Sequence, residues 1–312
     1  MLGLMCGIIG IMFKKEGNIG GYLLQTMKSL QHRGTDSAGV AVYANNLGEE
    51  NAFVLVAEVA DTPGAIGKLG NAIGSAGGDI RNISFRASPH GETGVNTYTI
   101  RVPNEEALQS VVKNINATDV GKVYSYGKSV RVIKDLGKVE KLEVGYHISE
   151  MNGTHGIGHV RFSTESRVDR KHAHPFHTDT FPDIAVVHNG QITNYHKIRG
   201  KLERKGFSFA TENDSEVIVY FITDQLQQEK TLGEALEESV KRLDGPFSYI
   251  VSTPNAIGIA RDKLGLRPMT LAQDDKGYYA ASEEVALLDI CDSSDLNYLK
   301  PGEVQVFERE EN

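Results

Sequence analysis

The region from residue 53 to residue 128 constrains the fold most, because strand-like and helix-like patterns alternate along it in a fixed order. Strands are predicted at Phe53–Val59, Asp79–Ala87, Asn96–Val102 and Lys122–Ser125. Apolar residues at helical spacing predict helices at Ala65–Ser75 and Glu105–Asn114. The order βαββαβ is the ferredoxin-like arrangement. We therefore predict a separate unit over residues 53–128.

The segments on either side of this unit carry further strand and helix patterns. Before it, strands are predicted at Cys6–Met12 and Ala38–Tyr43, with a helix at Gly21–Gln31 between them. After it, a helix is predicted at Leu232–Leu243, followed by strands at Phe247–Ser252, Ala256–Arg261, Met269–Gln273, Gly277–Ala281 and Glu303–Phe307. The chain is therefore of mixed α and β composition throughout.

Charge and cysteine content exclude several classes of partner. The net charge of −8 argues against a surface for nucleic acid or anionic membrane, which select basic faces. No apolar run approaches the roughly 20 residues that cross a bilayer. The two cysteines, Cys6 and Cys291, lie far apart and form no ligand motif, so a reducing cytoplasm is the expected setting.

Cys6 is the first candidate for chemistry because of its position. A cysteine beside an apolar run is more often a small buried hydrophobe than a nucleophile. Met5 directly precedes it, and removal of residues 1–5 would leave Cys6 with a free α-amine. Such an amine has a pKa of roughly 8, so it could act as the general base for its own thiol. As written, the five-residue leader blocks this chemistry.

Six motifs occur in the order and spacing of one known family: CGIIGIM, LQHRGTDSAGVAVY, GIGHVRFST, HAHPF, VVHNGQITNY and TENDSEVI. They resemble class II glutamine amidotransferases. The resemblance implies an α+β fold, the four-layer αββα sandwich of N-terminal-nucleophile hydrolases, built discontinuously from residues 6–50 and 150–312. The beginning of the inserted unit, VADTPGAIGKLGNAIGSAGGDIRNISF, resembles an ACT domain, a regulatory module that usually binds amino acids.

The resemblance assigns the catalytic roles to three residues. Cys6 matches the nucleophile, while the side-chain amide of Asn189 and the backbone N–H of Gly190 match the oxyanion hole. Such donors would stabilise the tetrahedral oxyanion that forms when the thiolate attacks a side-chain amide. Without the other motifs, Asn189-Gly190 would be interpreted as a β-turn, since Asn-Gly is the strongest short turn signal.

The resemblance also assigns the substrate-binding residues. Arg161 matches the arginine that holds the α-carboxylate of glutamine, and Thr164 matches its hydroxyl helper. Asp214 matches the carboxylate that holds the α-ammonium group. Taken alone, Arg161 or Asp214 would more often be a solvated surface charge or a helix cap.

Three further residues are assigned to positioning. Arg33 and Asp36 match a loop beside the N-terminus, and His174 is implied to be structural or close to the substrate. A metal site is also considered for the histidines His159, His172, His174 and His188. His172 and His174 alternate along an apparent loop without a nearby acidic pair, so no metal is predicted.

The ammonia acceptor is expected on another chain. No phosphate-binding loop or synthetase-sized region follows the glutaminase match. The motif details resemble stand-alone amidotransferase subunits of split glutamate synthase and of N-methylglutamate synthase. In those assemblies other chains carry FMN and iron–sulfur centres, so no cofactor is expected here. ACT-like modules often pair across a dimer, so a homo-oligomer is among the expectations.

Three alternatives stay open at this point. The chain could be a non-catalytic sensor of glutamine or another amino acid, in which the leader stays in place and the pocket only binds. It could hydrolyse another amide, although Arg161 and Asp214 would then leave two charges unused. It could also serve a system like the purine pathway, because ARDKLGLRPM resembles the amidotransferases of that pathway.

Overall fold

The computed structural model describes residues 5–44, 51–85, 93–163, 167–178 and 183–309. The strands are β1 Gly7–Gly17, β2 Ser37–Tyr43, β3 Ala52–Ala60, β4 Asp79–Ser84, β5 Thr93–Arg101, β6 Gly121–Gly127, β7 Val130–Leu136, β8 Gly153–Arg161, β9 Phe176–His177, β10 Ala185–Gly190, β11 Phe247–Ser252, β12 Ala256–Arg261, β13 Thr270–Gln273, β14 Gly277–Ala281, β15 Leu296–Tyr298 and β16 Val304–Glu308. The helices are α1 Ile19–Ser29, α2 Ala65–Ser75, α3 Glu105–Asn116, α4 Val139–Tyr146, α5 Tyr195–Arg204, α6 Asp214–Leu226, α7 Leu232–Arg242 and α8 Glu284–Leu288.

The strands of the described residues form three antiparallel sheets. The largest has seven strands in the order β15-β13-β14-β1-β8-β2-β7, and the second has five in the order β16-β12-β11-β10-β9. The third has four strands in the order β4-β5-β3-β6. The seven-stranded sheet contains strands from both sides of the inserted unit, so the segments before and after that unit fold together.

Alternation along β1 shows how the two larger sheets are layered. Ile8 and Met12 lie in an apolar cluster with Val187 and Ile250 of the second sheet. Ile9 points the opposite way, into a cluster with residues of α1 and α4. Helices α6 and α7 cover the outer face of the five-stranded sheet. The layers are therefore helix, sheet, sheet and helix, the sandwich that the resemblance implies.

The inserted unit has its own apolar core. Its elements follow the order β3-α2-β4-β5-α3-β6, and Leu69 of α2 and Leu108 of α3 pack on its four-stranded sheet. This is the βαββαβ order of a ferredoxin-like fold. The predicted strand Asp79–Ala87 ends at Ser84, and its last two residues, 86 and 87, lie outside the described residues. Kinship with ACT domains remains a prediction.

The region between residues 129 and 149, which the sequence patterns leave unassigned, belongs to the large sheet. Strand β7 pairs with β2 as its edge strand, and α4 packs beneath it. Lys134 and Asp135 interrupt the apolar pattern of this strand and conceal it. No helix in the described part of the chain is both long and apolar enough to cross a membrane.

Candidate active site

The candidate site lies at one end of the sandwich, where strands of both larger sheets meet. In the first sheet Gly7 pairs with Val160, so the start of β1 lies beside the end of β8 at Arg161. In the second sheet β10 ends at Gly190. A cavity of about 740 Å³ opens here, and its walls include Cys6, Arg161, Asn189, Gly190 and Asp214. The structure thus brings together the predicted nucleophile, oxyanion donors and two charged substrate ligands.

Cys6 lies immediately before β1 and is half-buried. Its Sγ donates to the carbonyl oxygen of Phe162 at 3.5 Å. Burial raises the pKa of the Cys6 thiol, and the positive charges of Arg161 and Arg33 oppose that shift. The thiol is therefore protonated near neutral pH, and a base must remove its proton before it can act as a nucleophile.

Arg33 and Asp36 hold the two strands that flank the site. The Nε of Arg33 donates to the carbonyl oxygen of Cys6 at 2.8 Å, and its guanidinium forms an ion pair with Glu283. The carboxylate of Asp36 accepts a hydrogen bond from the backbone N–H of Ser163 at 2.7 Å. Neither side chain lines the cavity, and their positioning role stays a prediction.

Asn189 and Gly190 end a strand and do not form a hairpin turn. Asn189 pairs with Ser248 of β11, and its side chain is 1% exposed. Its Nδ2 has no hydrogen-bond partner among the described residues, although a buried amide donor normally has one. Gly190 has a φ of 140°, and an added Cβ would lie 2.1 Å from the carbonyl oxygen of Pro246. This leaves an amide donor available at the cavity wall.

Arg161 and Asp214 supply one charge of each sign. Arg161 is 2% exposed and donates from NH1 to the carbonyl oxygen of Arg167 at 3.0 Å. Burial lowers the pKa of Arg161, and nearby acidic groups oppose this effect. Asp214 begins α6, where Asn213 caps the helix, and its carboxylate accepts from the N–H of Ile192 at 2.7 Å. That bond ties the loop after β10 to α6.

Two of the histidines that line the cavity, His174 and His188, are buried. The ring of His174 stacks on that of His159 at 4.0 Å, and neither of its ring nitrogens has a partner among the described residues. Burial lowers the pKa of His174 well below its usual range, so the ring is neutral at pH 7. In the chain as described, no group of three or more His, Cys, Asp or Glu side chains could hold a metal ion. Thr164, the predicted helper of Arg161, lies outside the described residues.

Arg267 lines the same cavity, and the motif analysis did not single it out. The carboxylate of Asp262 shapes its loop by accepting from the backbone N–H groups of Leu264 at 3.0 Å and Leu266 at 3.1 Å. The guanidinium of Arg267 contacts the sulfur of Met5. The motif ARDKLGLRPM was the available signal, but nothing in it showed that its arginine reaches the N-terminal residues.

Comparison with known proteins decides the family. The model of a glutamine amidotransferase domain matches residues 159–289. A putative glutamine amidotransferase of Methanothermobacter thermautotrophicus is 45% identical over 311 residues, covering 97% of this chain and 100% of that protein. The chain belongs to the glutamine amidotransferase family. This amidotransferase is also 30% identical to the glutamine amidotransferase-like protein GlxB of Rhizobium meliloti, over 97% of each chain.

Solved structures show the type of fold. The glutamine phosphoribosylpyrophosphate amidotransferase of B. subtilis superposes with a TM-score of 0.58 at 21% identity. The superposition covers 97% of this amidotransferase and 47% of that chain. At this level of identity the similarity concerns the fold, which is that of the class II, N-terminal-nucleophile amidotransferases.

Proposed function

We propose that this chain hydrolyses L-glutamine to L-glutamate and ammonia, with Cys6 as the nucleophile. One observation carries the proposal: a single cavity holds a thiol, an amide donor without a partner among the described residues, and one charge of each sign. These are Cys6, Asn189, Arg161 and Asp214. A substrate with a side-chain amide, an α-carboxylate and an α-ammonium group matches all of them.

In this proposal the two charges orient glutamine. The planar guanidinium of Arg161 binds the α-carboxylate, and Asp214 binds the α-ammonium group. The side-chain amide then lies over the thiol of Cys6. The amide Nδ2 of Asn189 and the backbone N–H of Gly190 donate to its carbonyl oxygen as negative charge develops there.

The reaction proceeds in two steps. The α-amine of Cys6 takes the thiol proton, and the sulfur attacks the amide carbon to give a tetrahedral oxyanion. The C–N bond breaks as the amine returns the proton to the leaving nitrogen, which releases ammonia and leaves a glutamyl thioester. Water attacks the thioester, the amine takes a proton from that water, and the C–S bond breaks to release glutamate and the thiol. The raised pKa of the thiol makes the base necessary.

Met5 supports a second candidate function. Its peptide bond converts the α-amine of Cys6 into an amide, which cannot act as a base, and its sulfur contacts Arg267 within the cavity. A chain that keeps Met5 would bind glutamine without hydrolysing it and would serve as a sensor. The catalytic proposal therefore requires a chain that begins at Cys6.

The first experiment compares two purified chains, one beginning at Cys6 and one that retains residues 1–5. Each is treated with a diazo-ketone analogue of glutamine, and its intact mass is measured before and after. We expect one covalent adduct, mapped to Cys6, in the shorter chain only, and glutamate release by that chain alone. The Cys6→Ala variant should take no adduct. An adduct on Cys291, or none on either chain, would contradict the proposal.

Ammonia is proposed to pass to a synthase subunit of the glutamate-synthase type. The two relatives of full-length coverage are amidotransferases of about this size, whereas the B. subtilis enzyme is about twice as long. FMN and iron–sulfur centres would belong to the partner chains. For the iron–sulfur centres the reason is that a cubane cluster takes about four thiolates, whereas this chain has only Cys6 and Cys291. A cytoplasmic setting suits a free thiol. An amino-acid ligand of the inserted unit and a homo-oligomer remain parts of the proposal.

A further inference from the structure

A second cavity, of about 860 Å³, lies between the inserted unit and the sandwich. We call it the seam cavity. Its walls come from β3, α3 and β6 on one side, and from β7, the segment 169–177 and the start of the α6 region on the other. Cavities of roughly 300–1,000 Å³ hold small molecules in most proteins. The seam cavity is thus as large as the catalytic cavity and distinct from it.

Two of the four carboxylates in the wall form ion pairs with the same arginine. Arg170 donates from NH1 to Glu58 at 2.6 Å and from Nε to Asp135 at 2.8 Å. Its NH1 also donates to the hydroxyl of Tyr124 at 3.1 Å. These contacts join β3 and β6 of the inserted unit to β7 of the sandwich, and both carboxylates share the one guanidinium as their ion-pair partner.

The remaining two carboxylates are also engaged. Asp169 accepts a hydrogen bond from the backbone N–H of His172 at 3.0 Å and lies 2.7 Å from its Nδ1. Glu216 is 3% exposed and accepts from the backbone N–H of Ala210 and of Thr211, each at 2.8 Å. All four acidic side chains of the wall therefore have partners within the protein.

The lysines of the wall are not paired in this way. Among the described residues, no carboxylate lies within ion-pair distance of Lys122, Lys134, Lys141 or Lys171. Lys134 instead donates from Nζ to two carbonyl oxygens and lies 5.2 Å from the centre of the Phe176 ring. Burial lowers the pKa of Lys134 to about 8, with Glu216 acting in the opposite direction. With Arg170 included, the wall carries five cationic side chains against four carboxylates, so the net charge of the seam cavity is positive and favours an anion.

Seven further side chains of the wall are apolar or aromatic. These side chains are Val112, Val123, Tyr124, Tyr126, Leu136, Phe176 and Tyr220. An inorganic ion would leave this surface in contact with water, whereas an organic anion with an apolar body would cover it. The combination of unpaired ammonium groups and aromatic rings therefore defines the class of ligand.

The seam cavity shares two wall segments with the catalytic cavity. His172 and His174 face the catalytic cavity, while Arg170 and Phe176 face the seam cavity from the same loop. The two carbonyl groups bound by Lys134 belong to Ala173 and Pro175, on either side of His174. A ligand that engages Lys134 therefore acts directly on the backbone that holds a wall of the catalytic cavity.

We infer that the seam cavity binds a small organic anion with an apolar or aromatic body, and that this ligand changes the glutamine affinity of the catalytic cavity through the segment 167–178. The second half of the inference rests on the proposed function. The first half does not, because it concerns binding alone. Couplings between two sites in proteins are typically about 5- to 150-fold and are reciprocal.

The binding test uses 8-anilinonaphthalene-1-sulfonate, which carries one sulfonate on an aromatic body, and the neutral N-phenyl-1-naphthylamine as its uncharged counterpart. Both are titrated by fluorescence into the full-length chain. We expect one saturable site for the sulfonate, weakened at least about tenfold in the exposed double variant Lys122→Glu, Lys141→Glu. The matched control Lys201→Glu, on exposed α5 surface outside the cavity, should leave the affinity unchanged.

The other measurements distinguish the effect of the lysine charges on dye binding from the effect of the cavity itself. The neutral dye should bind the double variant and the unchanged chain equally well. Val112→Trp, which fills the cavity from α3, should reduce binding of both dyes at least about tenfold. Two results would overturn the inference that the dye binds in the seam cavity. One is equal sulfonate affinity in the double variant and in Lys201→Glu, and the other is unchanged dye binding in Val112→Trp.

The coupling test uses the Cys6→Ala chain, which cannot turn glutamine over. We expect saturating glutamine to change the sulfonate dye's dissociation constant at least about fivefold in either direction. An unchanged constant, in a chain that calorimetry shows to bind glutamine, would overturn the coupling. A chain that binds no glutamine at all would overturn the proposed function and the coupling together, while the dye titrations would still decide the seam cavity.

Discussion

Asn189 places a buried amide nitrogen, without a hydrogen-bond partner among the described residues, at the wall of the catalytic cavity. Leaving a buried donor unsatisfied costs about 1–3 kcal/mol, so such a group persists in a stable fold where a ligand or transition state will use it. Its neighbour Gly190 adopts a φ of 140° that other residues rarely adopt. The two residues together place amide groups at the end of β10, in the wall of the catalytic cavity.

We therefore predict that Asn189→Ala lowers the kcat of glutamine hydrolysis by about 10²- to 10³-fold and leaves KM within a few-fold of its original value. The reason is that the oxyanion exists only in the transition state. Steady-state kinetics with glutamine test this. Asp214→Asn is the matched contrast, since it should raise KM more than it lowers kcat. If Asn189→Ala instead raises KM at constant kcat, Asn189 binds the ground state and is not part of an oxyanion hole.

At the scale of secondary-structure elements, Asp183 connects the inserted unit to the strand that carries Asn189. Its carboxylate accepts from the backbone N–H groups of Lys128 and Ser129, each at 2.8 Å, and of Val130 at 3.0 Å. These groups form the turn between β6 and β7, whereas Asp183 lies two residues before β10. One side chain thus fixes the exit of the inserted unit against the beginning of a catalytic strand.

We predict that Asp183→Ala lowers the free energy of unfolding by about 3 kcal/mol, because three backbone donors lose a charged acceptor. Asp183→Asn should cost less, since its amide oxygen still accepts. Urea unfolding followed by circular dichroism measures both. The exposed Asp275→Ala serves as the control and should change stability by less than about 0.5 kcal/mol. A loss for Asp183→Ala no larger than that of the control would contradict the role of Asp183.

The same scale shows which elements the sequence could predict. The bounds of α2, β11, β12 and β14 agree with the patterns, because each has clear periodicity between turn residues. Strand β8 gave no such pattern: all nine of its residues are buried, and it contains three glycines and two histidines. Gly158 accommodates Met27 of α1, whose sulfur would lie 2.6 Å from an added Cβ. Because α1 packs closely on this strand, β8 lacks the alternation of apolar and polar residues from which a strand is predicted.

The candidate site was predictable only as far as the motifs reached. Cys6, Asn189, Arg161 and Asp214 were identified because each lies in a motif of the family, and the structure gathers them in one cavity. The approach of Arg267 to Met5 joins residues 262 positions apart, and local sequence carries no sign of it. The seam cavity could not be predicted for the same reason, since its wall exists only once the inserted unit has docked.

Buried histidines give the whole molecule a specific dependence on pH. Burial lowers the pKa of His155 to about 4 and the pKa values of His159 and His177 to about 3. In the unfolded chain each histidine has a pKa near 6.5. Above that pH both states are neutral and contribute no difference. As the pH falls below about 6.5, the unfolded chain binds protons that the folded chain does not, so stability is lost progressively down to the folded pKa values.

We therefore predict that the free energy of unfolding decreases as the pH falls from 6.5 to 5. Where the ring is fully protonated in the unfolded chain, each of these histidines contributes a loss of about 1.4 kcal/mol per pH unit. Urea unfolding at pH 7, 6, 5.5 and 5 measures the slope. Carboxylates titrate mainly below this range, so the slope reports on histidines. His155→Gln removes a ring whose Nε2 lies 2.7 Å from the carbonyl oxygen of Thr253. We expect this variant to reduce the slope of stability against pH by the contribution of about one proton. The exposed His196→Gln should leave the slope unchanged. Constant stability from pH 7 to pH 5 would mean that these rings gain protons without unfolding, and that the interior of the folded chain admits their charge.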